Sequence, residues 1–191
     1  MPRFYLFIIL SILLFHACKI GDKTAGLTLP VIERNDVFDF PLDWIGIYEG
    51  DLIIYRGPND TTQIEMKLQI ANPDKEGFYP WIMIYGENDI RNYGLESIDP
   101  ERGYYVLDEF NSIKLDAYHR HNHLVSKFSV KGTDLTVDYE RVQGGIDILF
   151  YVSIQKPGNI TGGEIFESDT IPVVSSYQLA AFQKASLKKI R

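Results

Sequence analysis

Alternation of apolar and polar residues is the feature that most restricts what this 191-residue chain can fold into. Between Thr62 and Ala71, apolar side chains at the even positions interleave with Gln, Glu and Lys at the odd ones. A period of two places the apolar side chains on one face of a β-strand, whereas a helix would scatter them around its axis. The pattern recurs over residues 113–117, 124–130, 135–140 and 146–154. The chain is therefore predicted to be all-β, with strands that bury one face.

Short turn sequences separate the alternating runs, which predicts strands joined by hairpins. Turn residues cluster at 57–60, 72–74, 86–89, 99–100, 131–133 and 144–145. About nine or ten strands would form an antiparallel up-and-down sheet, and closing it into a barrel removes its unpaired edges. A β-sandwich is the alternative. An outer-membrane barrel is disfavoured because the second face of the strands carries charges such as Lys67 and Asp116.

The last part of the chain shows less regular patterning. Residues 156–163 contain Pro157 and several glycines and are predicted to form a loop. Residues 176–191 fit either a helix or a strand. A closing strand is favoured, because a barrel needs a final partner for its first strand.

The N-terminus indicates export. Arg3 precedes an apolar run over residues 4–15 that is too short to span a bilayer, and Ala17 then precedes Cys18, the only cysteine. This layout resembles the signal peptide of a bacterial lipoprotein, of the Bacteroidetes type in its bulky residues before the cysteine. The resemblance implies that residues 1–17 are removed and that Cys18 is acylated. A secreted chain with a free thiol and an uncleaved anchor are the alternatives.

Three segments follow from this assignment. Residues 1–17 are the signal peptide, residues 18–43 are a lipidated N-terminus and tether, and residues 44–191 are one β-barrel domain. Within the tether, residues 37–40 could instead pack on the rim of the barrel. The expected location is the bacterial cell envelope, with the acyl group of Cys18 in the outer membrane on either its periplasmic or its surface face.

Charge narrows the classes of partner. The formal net charge is −7, which argues against nucleic-acid binding, because that requires a basic face. There is also no polybasic patch for anionic lipid, which leaves the acyl group as the expected membrane contact. The expected partners are therefore the membrane, a hydrophobic small molecule or an envelope protein, and not a nucleic acid.

A family resemblance arises where the alternation begins. Trp44, Gly46, Tyr48 and Gly50 form a Trp-x-Gly-x-Tyr-x-Gly pattern at the first predicted strand. This resembles the opening of calycins, the group of lipocalins, fatty-acid-binding proteins and nitrobindins. The resemblance implies a barrel with an interior ligand site. Haem binding of the nitrobindin kind would need an axial histidine, and the candidate histidines lie near a predicted turn, so no cofactor is predicted.

Aromatic residues supply the candidate ligand site. Tyrosine hydroxyls and apolar rings that project into a barrel suit an amphipathic ligand. The predicted ligand-binding residues are Trp44, Tyr48, Trp81, Tyr85, Phe128, Tyr139 and Phe150. The alternative is an aromatic core without a cavity.

Three histidines form a candidate metal site. His119, His121 and His123 would share one face if this segment were extended, and alternating imidazoles can bind a divalent metal. Residues 120–122 also join two alternating runs, so they could form a hairpin turn that separates the imidazoles.

Acidic residues raise the possibility of catalysis, since paired carboxylates hydrolyse glycosides when they flank a cleft. The candidates are Asp89, Asp99, Asp108, Glu109, Asp116 and Asp138. No nucleophile elbow, phosphate loop or paired-cysteine zinc motif is present in the sequence. The predicted function is therefore non-catalytic ligand binding by an envelope lipoprotein. A structural or interaction module with a filled core is second and a hydrolase third.

Overall fold

The structure, a computed structural model, describes residues 37–191. The predicted signal peptide 1–17, the lipidation site Cys18 and the tether up to residue 36 lie outside the described residues. Within residues 37–191, no helix is long and apolar enough to cross a membrane. The described chain is almost entirely β, as the alternation predicts.

Twelve strands and two short 3-10 turns make up the structure. The first strands are β1 (Gly46–Gly57), β2 (Asp60–Ile70), β3 (Tyr79–Tyr85), β4 (Asp89–Asp99), β5 (Tyr104–Asp108) and β6 (Lys114–Arg120). They are followed by β7 (His123–Val130), β8 (Thr133–Val142), β9 (Gly145–Thr161), β10 (Ile165–Phe166), β11 (Asp169–Thr170) and β12 (Val174–Lys189). The 3-10 turns are Leu42–Trp44 and Pro100–Arg102.

Ten of these strands form a closed antiparallel barrel. Strands β1 to β9 pair in sequence order, and β12 closes the ring between β9 and β1. Strands β10 and β11 form a separate small hairpin. The closed ring confirms the predicted up-and-down barrel, excludes the sandwich alternative, and resolves residues 176–191 as mostly strand.

Strand register explains why the alternation produces a core. Leu68 on β2 pairs with Tyr48 on β1 and with Met83 on β3, so these three side chains face the interior together. The largest fully buried side chains are Trp44, Trp81, Tyr48, Leu52, Met66, Leu68, Leu95, Leu124, Ile146 and Ile148.

Close approach of two strands requires a glycine at position 50. A Cβ on Gly50 would collide with the backbone oxygen of Ser186 on β12. The absence of a side chain therefore lets β1 and β12 close the barrel at this point.

An aromatic cluster closes the barrel at the end where β1 begins, which we call the closed end. Trp44 is fully buried there, and Phe40 packs edge-on against it with ring centroids 4.9 Å apart. Phe40 also stacks on the imidazole of His119 at 4.5 Å and meets Tyr105 at 4.8 Å. This cluster covers the core at that end of the barrel.

The segment before Trp44 is held to the barrel by polar contacts. The backbone N–H of Phe38 donates to Oδ1 of Asn122 at 3.1 Å, and the Arg141 guanidinium lies 4.4 Å from the centre of the Phe38 ring. Arg141 Nε also donates to the backbone oxygen of Asp43 at 3.2 Å. Residues 37–43 thus pack against the barrel, in line with the alternative that residues 37–40 lie on its rim.

Strands β9 and β12 continue past the barrel as a two-stranded arm. Strand β8 pairs with β9 only as far as Ile154, and β1 pairs with β12 only as far as Phe182. Beyond these points the two strands pair with each other alone. The loop predicted over residues 156–163 is wrong for 156–161, which continue strand β9. Pro157 is tolerated there because the pairing of β9 with β12 shifts register at its partner Tyr177.

Burial of His119 gives the closed end a pH response. Desolvation, together with the smaller effect of the Arg120 charge, lowers the pKa of His119. The folded state therefore binds fewer protons at His119 than the unfolded state does. The contribution of neutral His119 to the free energy of unfolding is fully present above the pKa that this group has in the unfolded state, and it is lost as the pH falls below that value. We expect the free energy of unfolding, measured by urea denaturation, to decrease between about pH 7 and about pH 5.5.

Two variants isolate this effect. The change His119→Phe should flatten the pH dependence, because the ring against Phe40 is kept and the titrating group is lost. The change His121→Asn should leave the pH dependence intact, since His121 is an exposed turn residue with φ of 55°, which asparagine tolerates. An equal slope in all three proteins would contradict the assignment to His119.

Candidate functional site

A cavity of about 620 Å³ opens at the other end of the barrel, where β3 and β4 meet. Its lining comes from strands β3 to β9 and from the loop between β5 and β6, and most of it is apolar. The apolar and aromatic lining residues are Met83, Tyr85, Tyr93, Leu107, Ile113, Leu115, Phe128, Val130, Leu135, Val137, Tyr139 and Phe150. The barrel is thus filled at the closed end and hollow at the open end.

The structure brings four of the seven predicted ligand-binding residues to this cavity. Tyr85, Phe128, Tyr139 and Phe150 line it. The other three do not: Trp44, Tyr48 and Trp81 are fully buried in the core nearer the closed end. Their sizes suit them to filling the barrel, and Tyr48 donates its hydroxyl proton to the Trp44 backbone oxygen at 2.7 Å.

Sulfur and hydroxyl groups mark the inner wall of the cavity. The hydroxyl of Tyr139 donates to Sδ of Met83 at 3.4 Å, and the hydroxyl of Tyr85 donates to the same sulfur at 3.5 Å. Trp81 packs edge-on against Tyr139, with centroids 5.2 Å apart. Burial raises the pKa of Tyr85 and of Tyr139, so both hydroxyls stay protonated and neutral.

Charged residues stand at the open end, which we call the mouth: Arg91, Glu109 and Lys114. Arg91 Nε and Nη2 bond the two carboxylate oxygens of Asp89 at 3.2 and 3.1 Å. The same guanidinium lies 5.2 Å from the centre of the Tyr85 ring. Hydrogen bonding from Arg91 lowers the pKa of Asp89, which keeps that carboxylate ionised.

The second cation of the mouth is also paired. Lys114 Nζ lies 3.0 Å from Oδ2 of Asp108 and 3.8 Å from Oε2 of Glu96. The hydrogen bond from Lys114 lowers the pKa of Asp108, with a further contribution from the Phe110 backbone N–H. The carboxylate of Glu109 accepts a hydrogen bond from Nδ2 of Asn111 at 3.1 Å.

Several lining residues were not predicted as ligand-binding residues, although Glu109 was among the candidate carboxylates. Arg91, Tyr93, Glu109 and Ser126 contribute polar atoms to the cavity. Arg91 and Tyr93 could have been predicted to lie together from the period-two pattern, since residues two apart on β4 share a face. Glu109 follows the end of β5, and nothing in its local sequence points to the cavity.

The three histidines are divided by a hairpin. His119 lies on β6, His121 in the turn and His123 on β7, as the turn alternative predicted. His123 Nδ1 is 2.9 Å from Oδ1 of Asp138, and the His119 ring stacks under Phe40. Among residues 37–191, no group of three or more His, Cys, Asp or Glu side chains could hold a metal ion. The structure therefore does not assemble the candidate metal site.

The candidate carboxylates are dispersed, each with a local partner. Asp99 accepts from the backbone N–H of Arg102 at 3.2 Å, and Asp116 accepts from the hydroxyl of Tyr104 at 2.8 Å. Asp89, Asp108, Glu109 and Asp138 have the partners described above. Only Glu109 of the six lines the cavity.

The fold and the cavity together define a closed ten-stranded antiparallel barrel, consistent with a calycin-like fold, that is hollow at one end. No protein-family model and no curated protein matches the sequence. Among solved structures, the chain resembles a protein of unknown function from the DUF3598 family of Nostoc punctiforme, with a TM-score of 0.56 and 8% identity.

That likeness covers 81% of this chain and 50% of the other protein. The chain therefore spans about half the length of the solved protein that it matches. At 8% identity the likeness shows the fold alone.

Proposed function

We propose that this protein binds an apolar or amphipathic small molecule inside its barrel, without catalysing a reaction. The observation that carries the proposal is the cavity of about 620 Å³ with its largely apolar lining. Its volume falls within the range of roughly 300–1,000 Å³ that is typical of small-molecule sites.

The arrangement of the cavity suits a ligand with one polar end. Rings and aliphatic side chains form the inner wall, and the charged residues Arg91, Glu109 and Lys114 stand at the mouth. An extended apolar portion would lie against Phe128 and Phe150, while a polar end would remain near water. The alternative, an interaction module with a filled core, has no use for such a cavity.

The non-catalytic part of the proposal is supported by the acidic residues. Catalytic carboxylates need to meet around a shared substrate position. Here the six candidates engage separate local partners, such as Arg91 for Asp89 and Lys114 for Asp108. A hydrolase therefore ranks below a binding protein.

The proposed setting is the bacterial cell envelope, with the barrel anchored through acylated Cys18. A protein held at a membrane by lipid and hollow at one end is suited to carrying or sequestering a hydrophobic molecule there. This part of the proposal is supported by the N-terminal sequence pattern.

Binding can be measured with the neutral fluorescent probe N-phenylnaphthylamine. We expect saturable fluorescence enhancement on addition of the purified protein, because the probe leaves water for an apolar cavity. The change Val137→Phe places a ring in the cavity between Leu135 and Tyr139. It should weaken binding by about tenfold, which corresponds to about 1.4 kcal/mol.

The matched control is Val125→Phe on the neighbouring strand. Val125 alternates with Ser126, which lines the cavity, so its side chain faces outward and the same substitution should leave probe affinity unchanged. Absence of saturable binding by the wild-type protein would overturn the proposed function. Equal affinity in all three proteins would place the probe outside the cavity.

A further inference from the structure

We infer that the ligand of this cavity carries no negative charge at its polar end: a hydroxyl or another uncharged head group, rather than a carboxylate or phosphate. The inference rests on the proposed function and concerns which ligands the cavity accepts. It follows from the way the charges at the mouth are paired.

Arginine at a cavity mouth ordinarily offers its planar fork of N–H donors to an anion. In this barrel the fork of Arg91 is already occupied. Nε and Nη2 bond the two oxygens of Asp89, and Tyr85 lies against the guanidinium. Asp89, Arg91 and Tyr93 alternate along β4 and share a face, so the carboxylate stands beside the route into the cavity. An incoming anion would have to compete with Asp89 for the guanidinium.

Lys114 offers no alternative anion site. Its ammonium group lies 3.0 Å from Asp108 and 3.8 Å from Glu96, between two carboxylates. Glu109, which lines the cavity itself, adds another negative charge at the mouth.

The balance of these charges is negative. The lining cations Arg91 and Lys114 are each offset by a paired carboxylate, Asp89 and Asp108, so the unmatched charge of the lining is the −1 of Glu109. This local field adds to the protein's net charge of −7 and repels an anionic head group.

Uncharged hydrogen-bonding groups remain available to a ligand. Tyr85, Tyr93 and Ser126 place hydroxyls on the cavity lining. The hydroxyls of Tyr85 and Ser126 already donate to Met83 Sδ and to the Asp116 backbone oxygen, so what they offer a ligand is an acceptor. An acceptor suits a hydroxyl head, which can donate a proton, better than a carboxylate, which cannot. The cavity therefore combines an apolar interior with neutral polar atoms and a negative rim.

The test compares decanol with decanoate, two ligands with the same chain length and different heads. Each is titrated against the protein loaded with N-phenylnaphthylamine, and displacement gives the affinity. We expect decanol to bind the wild-type protein at least about fivefold more tightly than decanoate, the scale of one exposed charge interaction. Decanoate binding should strengthen as salt is raised, because salt screens the repulsion.

The change Asp89→Asn releases the guanidinium of Arg91 and removes one negative charge. Decanoate should then bind about fivefold more tightly than to the wild type, while decanol affinity stays constant. The matched control is Asp60→Asn, which breaks the ion pair with Arg56 in the β1–β2 turn and changes the net charge equally. Asp60 pairs with Arg56, which does not line the cavity, whereas Asp89 pairs with the lining residue Arg91, so decanoate affinity should stay at the wild-type value in Asp60→Asn.

The outcomes separate the two proposals. If neither ligand displaces the probe and the probe itself does not bind, the proposed function fails. If both ligands displace the probe and decanoate binds as tightly as decanol, the inference fails and the proposed function stands. An increase in decanoate affinity that is equal in Asp89→Asn and Asp60→Asn would also overturn the inference, since it would reflect net charge alone.

Discussion

Replacing Trp44 with alanine is expected to lower the free energy of unfolding by about 3–5 kcal/mol, the largest loss for any single side chain at the closed end. The indole is fully buried and lies against Phe40, His119 and Trp81, with ring centroids 4.9, 6.3 and 6.4 Å away. Its removal leaves a void that strands anchored by the barrel hydrogen bonds cannot collapse to fill. The loss combines lost burial with an unfilled cavity.

Urea denaturation followed by circular dichroism measures this effect. The change Leu42→Ala in the same 3-10 turn is the control, because Leu42 is 56% exposed and its truncation should cost under about 0.5 kcal/mol. The change Trp44→Phe should recover much of the loss. The indole Nε1 has no hydrogen-bond partner among the described residues, so its contribution comes from packing. Equal destabilisation by Trp44→Ala and Leu42→Ala would show that the cluster does not hold the closed end.

The barrel was predictable because its information is local and repeated. Each alternating segment, such as residues 146–154, indicates which face of its strand is buried, and the hairpin turns indicate which strands are neighbours. The long pairing of β12 with both β9 and β1 was predictable only indirectly, from the need to close the sheet. The arm was not predicted because Pro157 and Gly158 are typical of loops and are rarely found inside a strand that is paired on both sides. In the arm, β9 is paired on one side only.

The site was predictable in part, because alternation gives direction and not depth. The period-two pattern correctly predicts that Tyr85, Phe128, Tyr139 and Phe150 face the interior, where they line the cavity. It predicts the same for Tyr48 and Trp81, which lie in the filled core instead. Whether inward side chains meet across the barrel depends on which end receives the bulky rings and on the segment that covers it. Phe40 supplies that cover from outside the alternating region.

The ion pairs at the mouth are harder to predict from the sequence. The Arg91–Asp89 pair can be read from two residues on one face of β4, whereas Lys114 and Glu96 meet across strands that only the register brings together. The preference for an uncharged head group therefore depends on tertiary structure. A sequence with the same charges in another register would give a different preference.

The change Cys18→Ser is expected to abolish attachment to the membrane and incorporation of labelled palmitate. Cys18 is the only cysteine in the chain, so no other thiol can take the acyl group. A diacylglycerol together with an amide-linked chain holds a protein stably at a bilayer, whereas a single chain binds only marginally. Metabolic labelling and membrane fractionation in a bacterial host measure both effects. The variant should move from the membrane fraction to the aqueous fraction and carry no label.

Two controls show whether the loss reflects the anchor alone. The change Thr24→Ser, in the predicted tether, should leave labelling and fractionation unchanged. The barrel of the Cys18→Ser protein should also keep its probe binding and its urea midpoint, because Cys18 lies outside the residues that form the barrel and its cavity. Membrane association with undiminished label in Cys18→Ser would overturn the lipoprotein proposal, while ligand binding by the barrel would stand independently of it.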